Sequence, residues 1–507
     1  MRIAAKLALI LAGLFAVGFA PIFVGAFVYL VFGVRPFPLG TDVLIYVLVV
    51  AIAAYFVYAR RREHLAAPWR RVAQSASGMS ALVVLAAFIA VGLLDSLHFR
   101  PALEGRDAQG NVVYAVEVRS VLDVALTRLR ERTERTYSAP LAVRAYSRET
   151  VELPDGKTVR DYPRLRWGGA RLKDESQRGT DIFAIVLRGF AAGLATAAIV
   201  SALLAAWLAW GWKKGFAETW RAVWRGETTV SWRAVLATGA ALLAVAFPVA
   251  LLAAHYHVLG TDKVGQDVLY QALKSVRTGL VIGTLTTLVM LPFAVLLGIS
   301  AGYFRGWADD VIQYVYTTLN SIPAVLLIAA AVLMMQVYID THPDLFPTSA
   351  QRADLRLLFL CVILGLTSWT GLARLLRGEA LKLRELEFIQ AAQAFGVRDT
   401  RIITRHILPN VMHIVLISLV MDFSSLVLAE AVLSYVGVGV DPSMTSFGTM
   451  INAARLEMAR DPVVWWTLAA AFVFMFVLVL AANLFADAVR DAFDPRVRVG
   501  SVAKAAA

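Results

Sequence analysis

Long stretches without Asp, Glu, Lys or Arg alternate with polar connections along the chain. These charge-free runs cover 7–34, 43–59, 72–94, 189–212, 234–261, 278–304, 311–339, 357–373, 406–421 and 462–486; past Asp422 the ninth resumes as an apolar stretch through Val432 that carries Glu430. A bilayer core takes about 20 apolar residues of helix, with roughly 17 as the lower limit. The pattern therefore predicts ten transmembrane helices, of which 43–59 and 357–373 sit near the short end. Residues 1–20 have the look of a secretory signal, with Arg2 and Lys6 before an apolar stretch and small residues at Gly18 and Ala20. The apolar run continues to Phe32, too long for such a signal, so a retained anchor is expected.

One long segment, Arg100 to Arg188, breaks the pattern and is the only part suited to folding in water. Alternation from Val112 to Val118 predicts a strand, Leu122, Ala125, Leu126 and Leu129 share a helical face, and Pro154-Asp155-Gly156 marks a turn. A small external α+β segment is the expectation. Its basic residues are interspersed with acidic ones, which suits a solvated surface.

Composition agrees with membrane residence: of 507 residues, 59% are hydrophobic and 17% charged, against roughly 45–50% and about 25% in soluble domains. The single cysteine, Cys361, excludes an intramolecular disulfide and a cysteine-held metal cluster. A net charge of +12 invites a nucleic-acid reading, but basic residues also collect on cytoplasmic loops of membrane proteins. With the N-terminus inside, the inner segments hold 24 Lys and Arg and the short outer loops 8, while 17 lie in the long segment whose charge hardly affects orientation. Both termini are expected inside, and no nucleic-acid partner is needed.

Candidate chemistry is sparse. Gly260 to Asp267 has the glycine spacing of a phosphate loop but lacks the Lys-Ser/Thr that such a loop requires. His255 and His257 have no further close metal ligands in sequence. No nucleophile, catalytic base, cofactor site or metal site emerges. The LGTD repeated at 39–42 and 259–262 has no aligning surroundings. Gly189/Gly193, Gly279/Gly283 and Gly298/Gly302 are small-xxx-small pairs that allow close helix packing, within the chain or between subunits. Pro292 and Pro323 interrupt apolar helices and should kink them.

The most informative stretch is Glu387 to Asn410, between the eighth and ninth spans. Phe388, Ala391, Ala392 and Phe395 recur at helical spacing, Gly396 suits a left-handed stop, Asp399 is placed to cap the next helix, and Pro409 suits a first turn. Arg401, Arg405 and His406 fall at the membrane boundary. The pattern is helix, sharp turn, helix, either resting on lipid or fitting another protein.

Here the sequence resembles a known family. Gln390-Ala391-Ala392, Gly396 and Leu408-Pro409 look like the EAA loop of permease subunits of ATP-binding-cassette (ABC) importers, with Gln390 where Glu is usual and His406 as in the dipeptide/oligopeptide branch. Three further stretches agree in order: HVLGTDKVGQDVL from His257, LAEAVLSYVGVGVDPSMTSFG from Leu428, and NLFADAVRDAFDPR from Asn483 to Arg496. Gln266 stands where the family usually has Arg.

The resemblance implies an all-α polytopic membrane protein with a type I importer permease core of six helices. The core would span 233–498, its main transmembrane part about 275–487 and its coupling loop 387–410. Before it would come extra helices in 1–98, a periplasmic soluble segment over 99–188, and a further helix and cytoplasmic loop over 189–232. It also implies a second permease, two cytoplasmic ATPases that bind the ATP, a periplasmic solute-binding protein, and residence in the bacterial inner membrane. Coupling to the ATPases would involve Gln390, Ala391, Ala392, Gly396, Asp399, Arg405, His406 and Pro409.

Asp267, Glu430 and the Val436 to Gly448 loop are gate or docking candidates, and Asp422 a pathway candidate; an ionised carboxylate at a membrane centre costs about 2.5–3.5 kcal/mol and should face protein or water. Asn483, Asp487 and Arg490 form a ridge suited to capping and ion pairing. The competing readings are an ion-gradient-driven secondary transporter, which would want several buried ionisable residues and inverted repeats, and a membrane-anchored sensor.

Overall fold

The computed structural model describes residues 35–106, 112–152, 158–346 and 348–493. The first expected span, the termini, the Pro154-Asp155-Gly156 turn and Arg496 lie outside these residues. Among the described residues, nine helices are long and apolar enough to cross a membrane, one for each of the other nine charge-free runs.

The accessory region begins with α1 (Gly40–Arg60), α2 (Glu63–Gln74) and α3 (Ala76–Asp95). Between α3 and the next long helix, the segment expected to be external forms three small antiparallel sheets, one of them completed by a strand that precedes α1. Strands β1 (Arg35–Pro36), β2 (His98–Arg100) and β5 (Arg119–Ser120) form one, with Phe99 opposite Arg119. The others are the pair β3 (Ala102–Arg106) and β4 (Val112–Tyr114), and the pair β6 (Glu149–Glu152) and β7 (Thr158–Asp161). The expected single helix is two short ones, α4 (Val121–Ala125) and α5 (Thr127–Glu131), parted at Leu126; Leu122 and Leu129 are still buried.

The helices α6 (Arg178–Trp212), α7 (Phe216–Arg225) and α8 (Trp232–Ala253) lead to α9 (Val268–Phe304). With 37 residues, α9 starts ten residues before its charge-free run. At 1.5 Å per residue it is about 55 Å long, well beyond a hydrocarbon core of about 30 Å, and its first turns hold Lys274 and Arg277 in a polar network. Pro292 sits inside α9 without ending it.

Pro323, by contrast, divides the run 311–339 into α10 (Gly306–Ser321) and α11 (Ala324–Thr341). The residue before a proline is pushed from helical to extended backbone, and Ile322 has φ −86° and ψ 129°. The short run 357–373 belongs to a 36-residue rod made of α12 (Ser349–Ser368) and α13 (Thr370–Arg384). There follow α14 (Glu387–Ala394), α15 (Asp399–Ile402), a wide turn over Ile403–Ile407, α16 (Leu408–Val436), α17 (Phe447–Glu457) and α18 (Trp466–Phe493).

Small residues set the closest crossings within the chain. A β-carbon on Gly189 would stand 2.5 Å from Pro248 Cα, and one on Gly302 2.5 Å from the Arg377 carbonyl, so α6 meets α8 and α9 meets α13 almost backbone to backbone. The chain thus has two polar ends. One joins the external segment to the 254–267 loop and to α17, through Ser138 N–H to Thr261 Oγ1 (2.7 Å) and Tyr137 Oη to Glu457 (3.3 Å). The other carries the 385–407 loop, which an Arg305–Glu385 ion pair ties to the far end of α9.

Candidate coupling loop and outer gate

The 387–410 loop is an ordered ledge. Ile389 is fully buried with Ile402, Ile407 and Val411 against Leu376 and Ala380 of α13 and Ile299 of α9. Burying such a side chain contributes about 1.5–3 kcal/mol, enough to fix an eight-residue helix that would be unstable alone. With Ile389 inward, Phe388, Gln390, Ala391 and Phe395 are exposed, Phe395 by 86%. Ala392 is half-buried.

The helix ends as expected at Gly396, whose φ of +69° is left-handed. Val397 N–H donates to the Ala392 carbonyl (3.1 Å) and Gly396 N–H to that of Gln393 (2.9 Å), the paired bonds of a Schellman stop. Asp399 does not cap α15: Arg398 takes that position, and the Asp399 carboxylate instead accepts the Tyr303 hydroxyl at 2.6 Å. Gln390 donates to the Glu385 carbonyl (3.2 Å), the rings of His406 and Phe388 lie 6.1 Å apart, Arg405 is exposed, and Pro409 lies in the first turn of α16.

At the opposite end the gate candidates are dispersed. Asp267 is fully buried as the N-cap of α9, accepting from Leu269 N–H (2.8 Å) and Tyr270 N–H (3.3 Å), and contacts His257 Nδ1 at 2.8 Å. The other ring nitrogen of His257 lies 3.4 Å from Glu134 of the external segment, so both are taken by carboxylates. Glu134 also accepts the backbone N–H groups of Arg166, Trp167 and Gly168. Burial opposes charge on His257, but the hydrogen bonds and negative charge of Asp267 and Glu134 outweigh it and push its pKa up to about 9. Burial likewise opposes ionisation of Glu134, yet His257 and the three N–H groups hold its carboxyl below the usual range.

The two glycines that suggested a phosphate loop serve this junction. A β-carbon on Gly260 would meet the Ser138 carbonyl at 2.4 Å, and one on Gly265 the Glu134 carbonyl at 2.0 Å. They let the external segment lie directly on the 260–267 loop.

Glu430 is buried, accepting the hydroxyls of Ser434 (2.6 Å) and Ser446 (2.8 Å), the latter the N-cap of α17. Asp422 is half-buried, and its carboxylate has no ion-pair or hydrogen-bond partner among the described residues. No hydrogen bond or ion pair joins Asp267, Asp422 and Glu430 to one another among the described residues. Asn483, Asp487 and Arg490 are exposed, and the expected ion pairing of that ridge is missing among the described residues.

A family model described as the binding-protein-dependent transport system inner membrane component matches residues 294–499. Over 242 residues, 48% of this chain, the sequence is 34% identical to the oligopeptide transport system permease protein OppC of Mycobacterium tuberculosis, covering 77% of that protein. The chain belongs to this permease family.

The glutathione transport system permease protein GsiD of Pectobacterium atrosepticum is 32% identical over 244 residues, 48% of this permease and 73% of GsiD. Among solved structures, an inward-facing methionine ABC transporter MetNI aligns at 18% identity over 45% of this permease and 96% of that chain, with a TM-score of 0.32. The family match encloses the whole ledge from Glu387 to Asn410. Nothing in these relatives favours an ion-driven transporter.

The permease has a second buried centre that sequence reasoning missed. Arg277, 4% exposed, reaches Asp42 (2.6 Å) and Thr41 (2.9 Å) of α1 and lies 3.8 Å from Asp354 of α12. One turn earlier, Lys274 contacts Asp95 at 2.6 Å and Asp123 at 3.1 Å. Burial opposes ionisation of Asp123, and the Lys274 charge overrides it, holding the carboxyl below its usual range. The available signal was two basic residues three apart ahead of an apolar run, matched by acids at the edges of two accessory runs.

Proposed function

We propose that this permease is the non-catalytic membrane subunit of an ABC importer for peptides or peptide-like solutes. The names of the OppC and GsiD relatives support that substrate class. A second permease would complete the pathway, two cytoplasmic ATPases would bind and hydrolyse ATP, and a periplasmic binding protein would deliver the solute. The 385–407 loop and both termini would then face the cytoplasm.

The observation that carries the coupling role is the ledge itself: Phe388, Ala391 and Phe395 face outward from a helix whose other side is locked by Ile389 and whose turn is tied to Tyr303. A rigid ledge exposing aromatic and small side chains fits a protein groove, and motion of that groove would move α9, α13 and α16 together. Gln390, Ala391, Ala392, Gly396, Arg405, His406 and Pro409 present or shape it. Glu430, by holding α16 to the start of α17, and Asp422, as an unpaired carboxylate in a span, are assigned to the gate and pathway, and Asp267 to supporting the outer end of α9.

Affinity purification of tagged protein tests the assignment. It should bring down two ATPases and a second permease, and proteoliposomes of that complex should take up short peptides only with ATP and the binding protein. Uptake by the chain alone, driven by an ion gradient, would overturn it.

A further inference from the structure

Two short helices of the accessory region lie at the same end of the bundle as the coupling ledge. These are α2, between α1 and α3, and α7, between α6 and α8. A hydrogen bond from Ser231 N–H to the Ala73 carbonyl (2.8 Å) joins the two connections. Residues 60–75 and 213–233 together hold ten Lys and Arg against three Glu. Two of the acids are engaged locally, Glu63 by Arg70 and Glu218 by Lys214. Arg221 and Arg225 are exposed, with no carboxylate partner among the described residues.

Helix α7 has three distinct surfaces. Thr219 and Val223 are buried, Val223 against Leu208 of α6 and Leu236 of α8. Phe216, Trp220 and Trp224, four residues apart, form a ladder with ring centroids 6.1 and 6.0 Å apart, and Phe216 and Trp224 are exposed. At about 100° per residue, Arg221 and Arg225 turn away from both the buried face and the ladder.

A basic loop alone is what topology requires. An ordered, exposed aromatic ladder beside unpaired guanidinium groups requires something more. Aromatic rings favour the headgroup level of a bilayer, and Arg pairs with phosphate through parallel N–H bonds. Short connections to α6 and α8 keep α7 close to that boundary.

We propose that α7, with α2 beside it, is a collar that binds anionic phospholipid headgroups, with the aromatic ladder at the acyl boundary and Arg221 and Arg225 on the phosphates. The full-length protein in nanodiscs of equal phosphatidylcholine and phosphatidylglycerol tests this, with the lipids that remain bound after extraction counted by native mass spectrometry. Among the retained lipids phosphatidylglycerol should outnumber phosphatidylcholine several-fold, against the equal ratio of the bulk, and the enrichment should fall with rising salt. It should also fall towards the bulk ratio in R221Q/R225Q and further in R221E/R225E. Bound lipid at the bulk ratio in the unsubstituted protein, or undiminished enrichment in folded R221Q/R225Q, would overturn the proposal.

Discussion

Tyr303, in the last turn of α9, donates its hydroxyl to Asp399 across 2.6 Å, tying a long transmembrane helix to the residue three places beyond the Gly396 turn. The same hydroxyl accepts from Gln393 Nε2 (3.3 Å), and the Tyr303 carbonyl accepts from Arg384 (2.7 Å). One residue therefore holds both sides of the turn and the end of α13. Displacement of the ledge is passed to α9 directly, besides travelling along the rods that flank the loop.

Tyr303→Phe keeps the ring and deletes the two hydroxyl bonds. A hydrogen bond to a charged group is worth about 1.5–3 kcal/mol, too little to unfold the protein but enough to loosen the turn. The variant should still copurify with its ATPases while importing fewer solute molecules per ATP hydrolysed. An unchanged ratio of uptake to hydrolysis would show that Tyr303 only supports the fold.

Gly396 fails or succeeds on backbone conformation alone. Its φ is +69°, and a β-carbon there would meet no atom within 4 Å. Left-handed backbone costs an ordinary residue about 1–2 kcal/mol, while Asn tolerates it and branched residues do not. Gly396→Asn should retain most uptake, and Gly396→Val should lose most of it while remaining in the membrane. Equal uptake by the two variants would refute this.

These sites show what a one-dimensional pattern can and cannot convey. Charge-free runs located the spans because lipid excludes charge, and Gly396 stood out because a helix needs such a stop. The inward face of α14 was hidden: Phe388 and Phe395 are the larger apolar residues, yet the narrow cleft between α13 and the 402–411 segment takes Ile389 and leaves the aromatics outside. Asp399 has the composition of a cap, and only the fold brings Tyr303, 96 residues earlier, within its reach. A charge normally ends a span, so the charge-free run starts only after Arg277. Asp42 and Asp354, distant in sequence, let the helix continue through it.

The His257–Glu134 contact makes the external junction sensitive to pH. The His257 pKa is raised from its ordinary 6.5 to about 9, so its stabilisation is complete below about 6.5 and is lost as pH rises through 9. The Glu134 pKa is lowered from its ordinary 4.5, so its contribution is complete above that value and is lost as the medium becomes more acidic. Amide exchange of residues 133–138, corrected for intrinsic rate, should therefore be slowest between those limits and faster at about pH 10. The alkaline loss should be roughly 3 kcal/mol at most, and His257→Gln should abolish it. A pH-independent protection would show that the packing of Gly260 and Gly265, not the charges, holds the junction.

Arg277 and Asp42 decide how the accessory helices are kept on the core. Both are almost fully buried, at 4% and 1% exposure, so removing either strands its partner. Breaking such a pair from one side costs about 3–5 kcal/mol. Arg277→Met leaves the carboxylates of Asp42 and Asp354 facing each other with His98, Thr41 and the Leu39 N–H to offset them, and Asp42→Asn leaves the guanidinium with Asp354 at 3.8 Å. Each single variant should lower the thermal midpoint and expose the 98–177 segment to protease. The double variant should lose less than the two singles added together, because neither member of that pair is then left charged and alone. Strict additivity would mean that the two residues act independently. In that case the α1–α9 contact would rest on apolar packing, and the charges would be incidental to it.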